Sequence, residues 1–188
     1  MIEQVTNNNY QSPKPLEKGL VQIFTGEGKG KTTAALGAAV RALGHGWRVY
    51  ITVFMKGDYP YSEWNILSKM PNIKIDRFGF RDFTDPQNVK VEEMEQAKQA
   101  LTAAHKAMLS GSYDMVILDE INVATAWKLV DLSAVVKLIE EKPPNMELIL
   151  TGRYADIELV KMADLVTECL KIKHPFDEGI IARQGIEY

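Results

Sequence analysis

A chain of 188 residues with 46% hydrophobic and 25% charged residues has the composition of a soluble globular domain, long enough to bury a core without disulfide or metal staples. A net charge of −3 gives no global attraction to nucleic acid, and no run approaches the roughly 18 apolar residues of a membrane span, so neither partner is expected. The single cysteine, Cys169, excludes an internal disulfide and suits a reducing compartment; with residues 1–18 polar rather than signal-like, a cytoplasmic location is expected.

Residues 1–18, with Asn7-Asn8-Asn9, Pro13 and Pro15, read as a flexible N-terminal arm ahead of one domain spanning 19–188. Apolar runs at 20–24, 49–54, 73–78, 115–118 and 146–150 read as buried strands. Helical patterns lie between them. An alanine-rich stretch runs from Lys31 to Leu43 and stops at Gly44, and Val91, Met94, Ala97, Leu101, Ala104 and Met108 form a stripe ending near Gly111. Leu132, Val135, Val136, Leu138 and Ile139 mark a further helix, stopped by Pro143-Pro144. Leu165, Val166 and Leu170 surround Cys169, which favours a packed thiol over a reactive one. Alternating strands and helices imply an α/β fold with a mostly parallel sheet, whose ligands bind beyond the carboxyl ends of the strands.

The loop after the first strand carries the strongest signal. Thr25-Gly26-Glu27-Gly28-Lys29-Gly30-Lys31-Thr32-Thr33 runs a strand into a helix through three glycines and two lysines, the form of a phosphate cradle. Gly26, Gly28 and Gly30 are expected to turn backbone N–H groups toward an anion, Lys31 to neutralise phosphate oxygens and Thr32 to hold Mg²⁺. The usual phosphate loop has glycine where this chain has Thr25, and Lys29 is an added charge.

Other candidates sit at strand ends. Met115-Val116-Ile117-Leu118 leads into Asp119-Glu120, which could bind the metal directly or through water, or could cap the next helix. Arg153 could grip phosphate with two hydrogen bonds or lie on the surface; Arg41 and Lys56 are open between a phosphate and a solvated role. Phe78, Phe80 and Phe83 could cover a large flat ligand or join the core. His45 and His105 have no metal-like partner four residues on and read as structural. Lys173-His174-Pro175-Phe176-Asp177-Glu178-Gly179 could close over a bound ligand or pack as an ordinary C-terminal segment.

Together these motifs resemble the P-loop class of ATP:corrinoid adenosyltransferases. The likeness rests on Thr25 to Thr33, Gly44-His45-Gly46, Phe54-Met55-Lys56-Gly57, residues 114–120, Thr151-Gly152-Arg153, residues 173–179 and Gln184-Gly185-Ile186-Glu187-Tyr188, and covers residues 19–188. It implies a single-domain P-loop NTPase-like (RecA-like) fold, a mostly parallel sheet with helices on both faces. It also implies transfer of the 5′-deoxyadenosyl group of ATP to Co(I) of a reduced corrinoid, with release of triphosphate, in adenosylcobalamin biosynthesis or salvage.

On that resemblance Thr25 to Thr33, Arg41 and Arg153 contact ATP, Lys29 and Lys31 stabilise the leaving triphosphate, and Thr32, Asp119 and Glu120 hold Mg²⁺. No protein nucleophile is needed, because Co(I) attacks. Phe80 and Phe83 are placed at the corrinoid's lower face, with Asp82 where the family has tryptophan, and His174, Phe176 and Asp177 at active-site closure. A homodimer and a flavoprotein or other reductant are the partners the family implies. The competing readings are a P-loop kinase or ATPase, from the loop and Asp119-Glu120 alone, and a non-catalytic corrinoid- or nucleotide-binding protein.

Overall fold

The computed structural model describes residues 16–188 except Asp58 and Phe83; most of the expected N-terminal arm therefore lies outside the described residues, as does Phe83. The elements run β1 (Val21–Thr25), α1 (Lys31–Gly44), β2 (Val49–Val53), α2 (Trp64–Leu67), β3 (Ile73–Arg77), α3 (Val91–Leu109), β4 (Met115–Asp119), α4 (Ile121–Ala126), α5 (Leu132–Glu140), β5 (Glu147–Thr151), α6 (Ile157–Met162) and β6 (Leu165–Glu168). The strands form one six-stranded sheet in the order β3-β2-β4-β5-β1-β6. Every pairing is parallel.

Apolar continuity explains the middle of this sheet. Every residue of β2, β4 and β5 is buried, as expected of parallel strands covered on both faces. One core joins the sheet to α3, α4, α5 and α6 through Ala100, Ile121, Val135 and Leu159. The other joins it to α1 and α2 through Ala35, Ala39, Trp64 and Leu67. Alanines at successive inward positions of α1 and α3 let both helices lie close to the strands.

Two sequence expectations change at the sheet edge. Leu165 and Val166 belong not to a packed core around Cys169 but to β6, an exposed edge strand that a short, half-polar run did not announce. Cys169 is only partly buried and lies in neither core. Helices α4 and α6, six residues each, are too short for a hydrophobic period to declare itself.

At the amino ends of β2 and β4, Arg48 clamps Asp114. Its N–H donates to Asp114 Oδ2 at 2.8 Å and its guanidinium to Oδ1 at 2.8 Å. These hydrogen bonds hold the Asp114 carboxyl below its ordinary value of 3.8, against a smaller upward push from burial. A folded-state pKa lowered in this way adds stability above the unfolded value and loses it as pH falls through the folded one. Arg48→Met is therefore expected to lower stability at pH 7 by about 1 kcal/mol, a value discounted because the pair is partly solvated. In urea unfolding the gap between parent and variant should close as the pH drops below 3.8. A gap that persists undiminished in acid would contradict the assignment.

Candidate active site

The carboxyl ends of β1, β4 and β5 meet on one side of the sheet. Phe24 pairs with Thr151 and Leu118 with Leu150, so Thr25, Asp119 and Thr151 end their strands side by side. The loop 26–30 crosses this edge and enters α1 at Lys31. It is laced to the segment after β6: Gly28 N–H donates to the Cys169 carbonyl at 2.7 Å, and Cys169 N–H to the Thr25 carbonyl at 2.8 Å. A Cβ on Gly28 would lie 2.5 Å from the Leu170 carbonyl oxygen, a distance no side chain tolerates. Glycine here is dictated by that close approach. The expectation that Gly28 turns its N–H toward an anion is corrected, because that donor is spent on Cys169.

The donors open to an anion lie further on, at the head of α1. No side chain caps this helix and its first turn contains no acid. Ala34 N–H makes the first bond back, to Gly30 O, and helix geometry leaves the N–H groups of the preceding turn without intrahelical acceptors. By contrast, α3 has its N-terminus closed by Glu93, which accepts from Lys90 N–H. Lys31, 8% exposed, folds back so that Nζ donates to the Gly28 carbonyl at 2.6 Å. Burial lowers its pKa, and the neighbouring Arg153 lowers it further. An anion arriving here would relieve both.

Asp119 anchors the floor of the site. At 1% exposure, its Oδ1 accepts from the Thr32 hydroxyl at 2.8 Å and from the Thr151 hydroxyl at 2.7 Å. Thr151 Oγ1 in turn accepts from Glu120 N–H at 3.0 Å. Glu120 is left-handed, with φ of 67°, a costly conformation for a residue with a side chain. Lys56 Nζ lies 2.9 Å from Glu120 Oε1 and 3.3 Å from Asp119 Oδ2. Burial works to lower the Lys56 pKa, but the two carboxylates outweigh it and hold the ammonium above the ordinary lysine range.

Thr32, Lys56 and Glu120 border a cavity of about 520 Å³ whose walls include residues 28–30 of the loop, Tyr61, Arg153, His174 and residues 185–188, with Asp119 and Thr151 behind its lining. Lys29 Nζ donates to Glu187 Oε1 at 2.8 Å and to the Ile186 carbonyl at 3.2 Å. Arg183, then Lys29, hold the Glu187 carboxyl down to about 2. Arg153 Nε lies 3.1 Å from Glu27 Oε2.

Gly28, Lys29, Gly30, Lys31, Thr32, Thr33, Lys56, Glu120, Arg153 and His174 share this cavity. Other candidates lie elsewhere. Thr25 Oγ1 accepts from Ala155 N–H, and Arg41 is exposed in the last turn of α1 outside the lining. Phe80, 45% exposed, borders a smaller hollow with Met55 and Leu129. Phe176 is 73% exposed, and Asp177 pairs with Lys171 at 3.0 Å, both outside the cavity lining. His45 rests edge-on against Trp47 and His105 binds Glu141 at 2.5 Å. Sequence reasoning placed Thr151 in a strand-end motif without giving it a role, missed Tyr61 and left Lys56 undecided. Thr151 follows a strand-end run, but only the strand order sets it beside Asp119.

Hard oxygen donors, a hydroxyl and two carboxylates beside an uncapped helix head, suit a small divalent cation that arrives with phosphates. Among the described residues no group of three or more His, Cys, Asp or Glu could hold a metal alone. Among the described residues no helix is long and apolar enough to cross a membrane.

The ATP:corrinoid adenosyltransferase family (BtuR/CobO/CobP) matches residues 17–188. A corrinoid adenosyltransferase of Escherichia coli (strain K12) is 37% identical over 173 residues, 92% of this chain and 87% of that protein. One from Sinorhizobium sp is 34% identical over 188 residues, 99% and 88%. The corrinoid adenosyltransferase CobA of Salmonella typhimurium is 37% identical over 174 residues, 92% and 87%. The EssC ATPases 2 and 3 chain of Geobacillus thermodenitrificans, at TM-score 0.49 and 15% identity over 90% of this chain and 35% of that one, is too distant to bear on function.

Proposed function

The chain belongs to the ATP:corrinoid adenosyltransferase family, and from that membership we propose how its own residues perform the transfer. The electron pair of Co(I) attacks C5′ of ATP, the cobalt–carbon bond forms, and the C5′–oxygen bond breaks. Triphosphate leaves with the bonding pair. Reduced cobalt is already a strong nucleophile, so the protein's part is to orient C5′, stabilise the leaving group and exclude water.

Lys31, Lys29 and the head of α1 hold the triphosphate, with Arg153 at its flank. Thr32, Asp119 and Glu120 hold Mg²⁺, which neutralises charge on the leaving triphosphate when bound. One observation carries this reading: the Thr32 hydroxyl bonded to buried Asp119 at 2.8 Å, at the first turn of an uncapped helix. It joins metal donors and phosphate donors within one turn.

Phe80, exposed beside the hollow under Met55, is assigned to the corrinoid's lower face, together with Phe83. His174 borders the ATP cavity and takes part in closure, with Phe176 and Asp177 on the turn that follows it. Thr25, Gly26, Glu27 and Gly28 shape the loop, and Arg41 stands on the same helix as the phosphate donors. A homodimer, supported by the open edge of β6 and its exposed Leu165 and Val166, a flavoprotein or other reductant, and a cytoplasmic location complete the proposal.

The test is direct. Protein, Mg²⁺, ATP and chemically reduced cobalamin should yield a light-sensitive adenosylcobalamin. ADP formed without corrinoid would instead select a kinase or ATPase, and binding of both substrates without product would select a carrier.

A further inference from the structure

A cation already occupies the space beside the carboxylate pair. The Lys56 ammonium lies 2.9 Å from Glu120 Oε1, 3.3 Å from Asp119 Oδ2 and 5.2 Å from the centre of the Tyr61 ring, with its side chain 19% exposed. It shares the cavity with Lys31, Thr32 and Arg153. The backbone that carries it is pinned. Lys56 N–H donates to the Phe78 carbonyl at 3.1 Å, and the Lys56 carbonyl accepts from Arg77 at 3.2 Å. Met55 before it is left-handed, with φ of 62°, and a Cβ on Gly57 after it would fall 2.0 Å from the Gly79 carbonyl oxygen. A strained, tightly packed turn thus delivers one flexible stem and its charge into the site.

Two carboxylates and one ammonium leave this corner with a single net negative charge. A divalent cation on the same oxygens would stand beside the ammonium, where like charges at contact distance repel far more strongly than in bulk water. Relief within the cavity would come from a polyphosphate held on the loop as proposed above. We propose that Lys56 is an exchangeable counter-cation: it neutralises Asp119 and Glu120 in the empty enzyme, yields their oxygens to the divalent ion, and swings to a triphosphate oxygen as that ion and the nucleotide arrive together. It is thereby a third triphosphate-binding lysine, and it keeps metal from binding ahead of nucleotide. This rests on the metal site proposed above.

The experiment uses the full chain and two variants that keep most of the stem but not the charge, Lys56→Met and Lys56→Gln, with urea unfolding to verify that each is folded. Mn²⁺ binding without nucleotide is read from the free-ion electron paramagnetic resonance signal, and binding of inorganic triphosphate in excess Mg²⁺ by calorimetry. Both variants should bind Mn²⁺ about tenfold more tightly and Mg²⁺-triphosphate about tenfold more weakly than the parent. Mn²⁺ affinity unchanged in both variants, or triphosphate affinity within twofold of the parent, overturns the exchange. Glu120→Gln separates the two ideas. If it binds Mn²⁺ as the parent does, the metal site itself fails; if it binds more weakly while the Lys56 variants match the parent, only the role of Lys56 fails.

Discussion

Lys31→Met is expected to lower kcat/KM for adenosyl transfer about 1,000-fold, roughly 4 kcal/mol of transition-state stabilisation, while leaving the ligand-free protein at least as stable as the parent. The two effects have one cause. Lys31 is buried, and its Nζ donates to the Gly28 carbonyl. Burial first, and Arg153 next, disfavour its charge. Removing a buried charge of this kind does not cost folding energy when the replacement keeps the apolar stem. In the transition state the balance reverses, because negative charge grows on the departing triphosphate and the ammonium meets it. Steady-state kinetics and urea unfolding of the same preparation read both halves. Activity within tenfold of the parent, or a loss of several kcal/mol in stability, contradicts the role given to Lys31. Phe80→Ala is the complement, weakening corrinoid binding or cobalt reduction while ATP affinity holds.

Asp119→Ala should reduce transfer at least 100-fold, about 2.7 kcal/mol, and also lower stability, by about 2 kcal/mol. Asp119 gathers the hydroxyls of Thr32 and Thr151 and faces Lys56. Its loss strands the buried Thr151 hydroxyl and the part-buried Thr32 hydroxyl and leaves Lys56 with Glu120 alone. Relief of repulsion between Asp119 and Glu120 offsets part of that cost, which keeps the figure below that of breaking a simple buried pair. The two predictions differ in sign on stability: one site residue is held against the fold's preference, the other is part of it. A denaturation midpoint in Asp119→Ala equal to the parent's would contradict this division.

The central strands and α1 were legible in the sequence for a physical reason. Strands covered on both faces must be apolar throughout, and the runs at 49–54, 115–118 and 146–150 coincide with β2, β4 and β5 to within a residue or two at each end. The loop between β1 and α1 was legible as a candidate because its glycines and lysines are adjacent in the chain. What escaped depends on neighbours distant in sequence. Gly28 owes its identity to the Leu170 carbonyl, and its N–H is spent on Cys169. Thr151 meets Asp119 only because β5 lies beside β4. The hold of Glu187 on Lys29 joins residues 158 positions apart. Strand β6 escaped because an exposed edge needs no continuous apolar run.

A loop that holds triphosphate as a leaving group is recognised by the first phosphorus product it releases. Enzyme, Mg²⁺, ATP and a stoichiometric amount of chemically reduced cobalamin are mixed without light, and the phosphorus species are followed by ³¹P nuclear magnetic resonance alongside the corrinoid spectrum. Intact inorganic triphosphate should appear first, mole for mole with the adenosylated corrinoid, and none should form when corrinoid is left out. ADP or free phosphate as the first phosphorus product would show instead that the loop presents a terminal phosphate for attack.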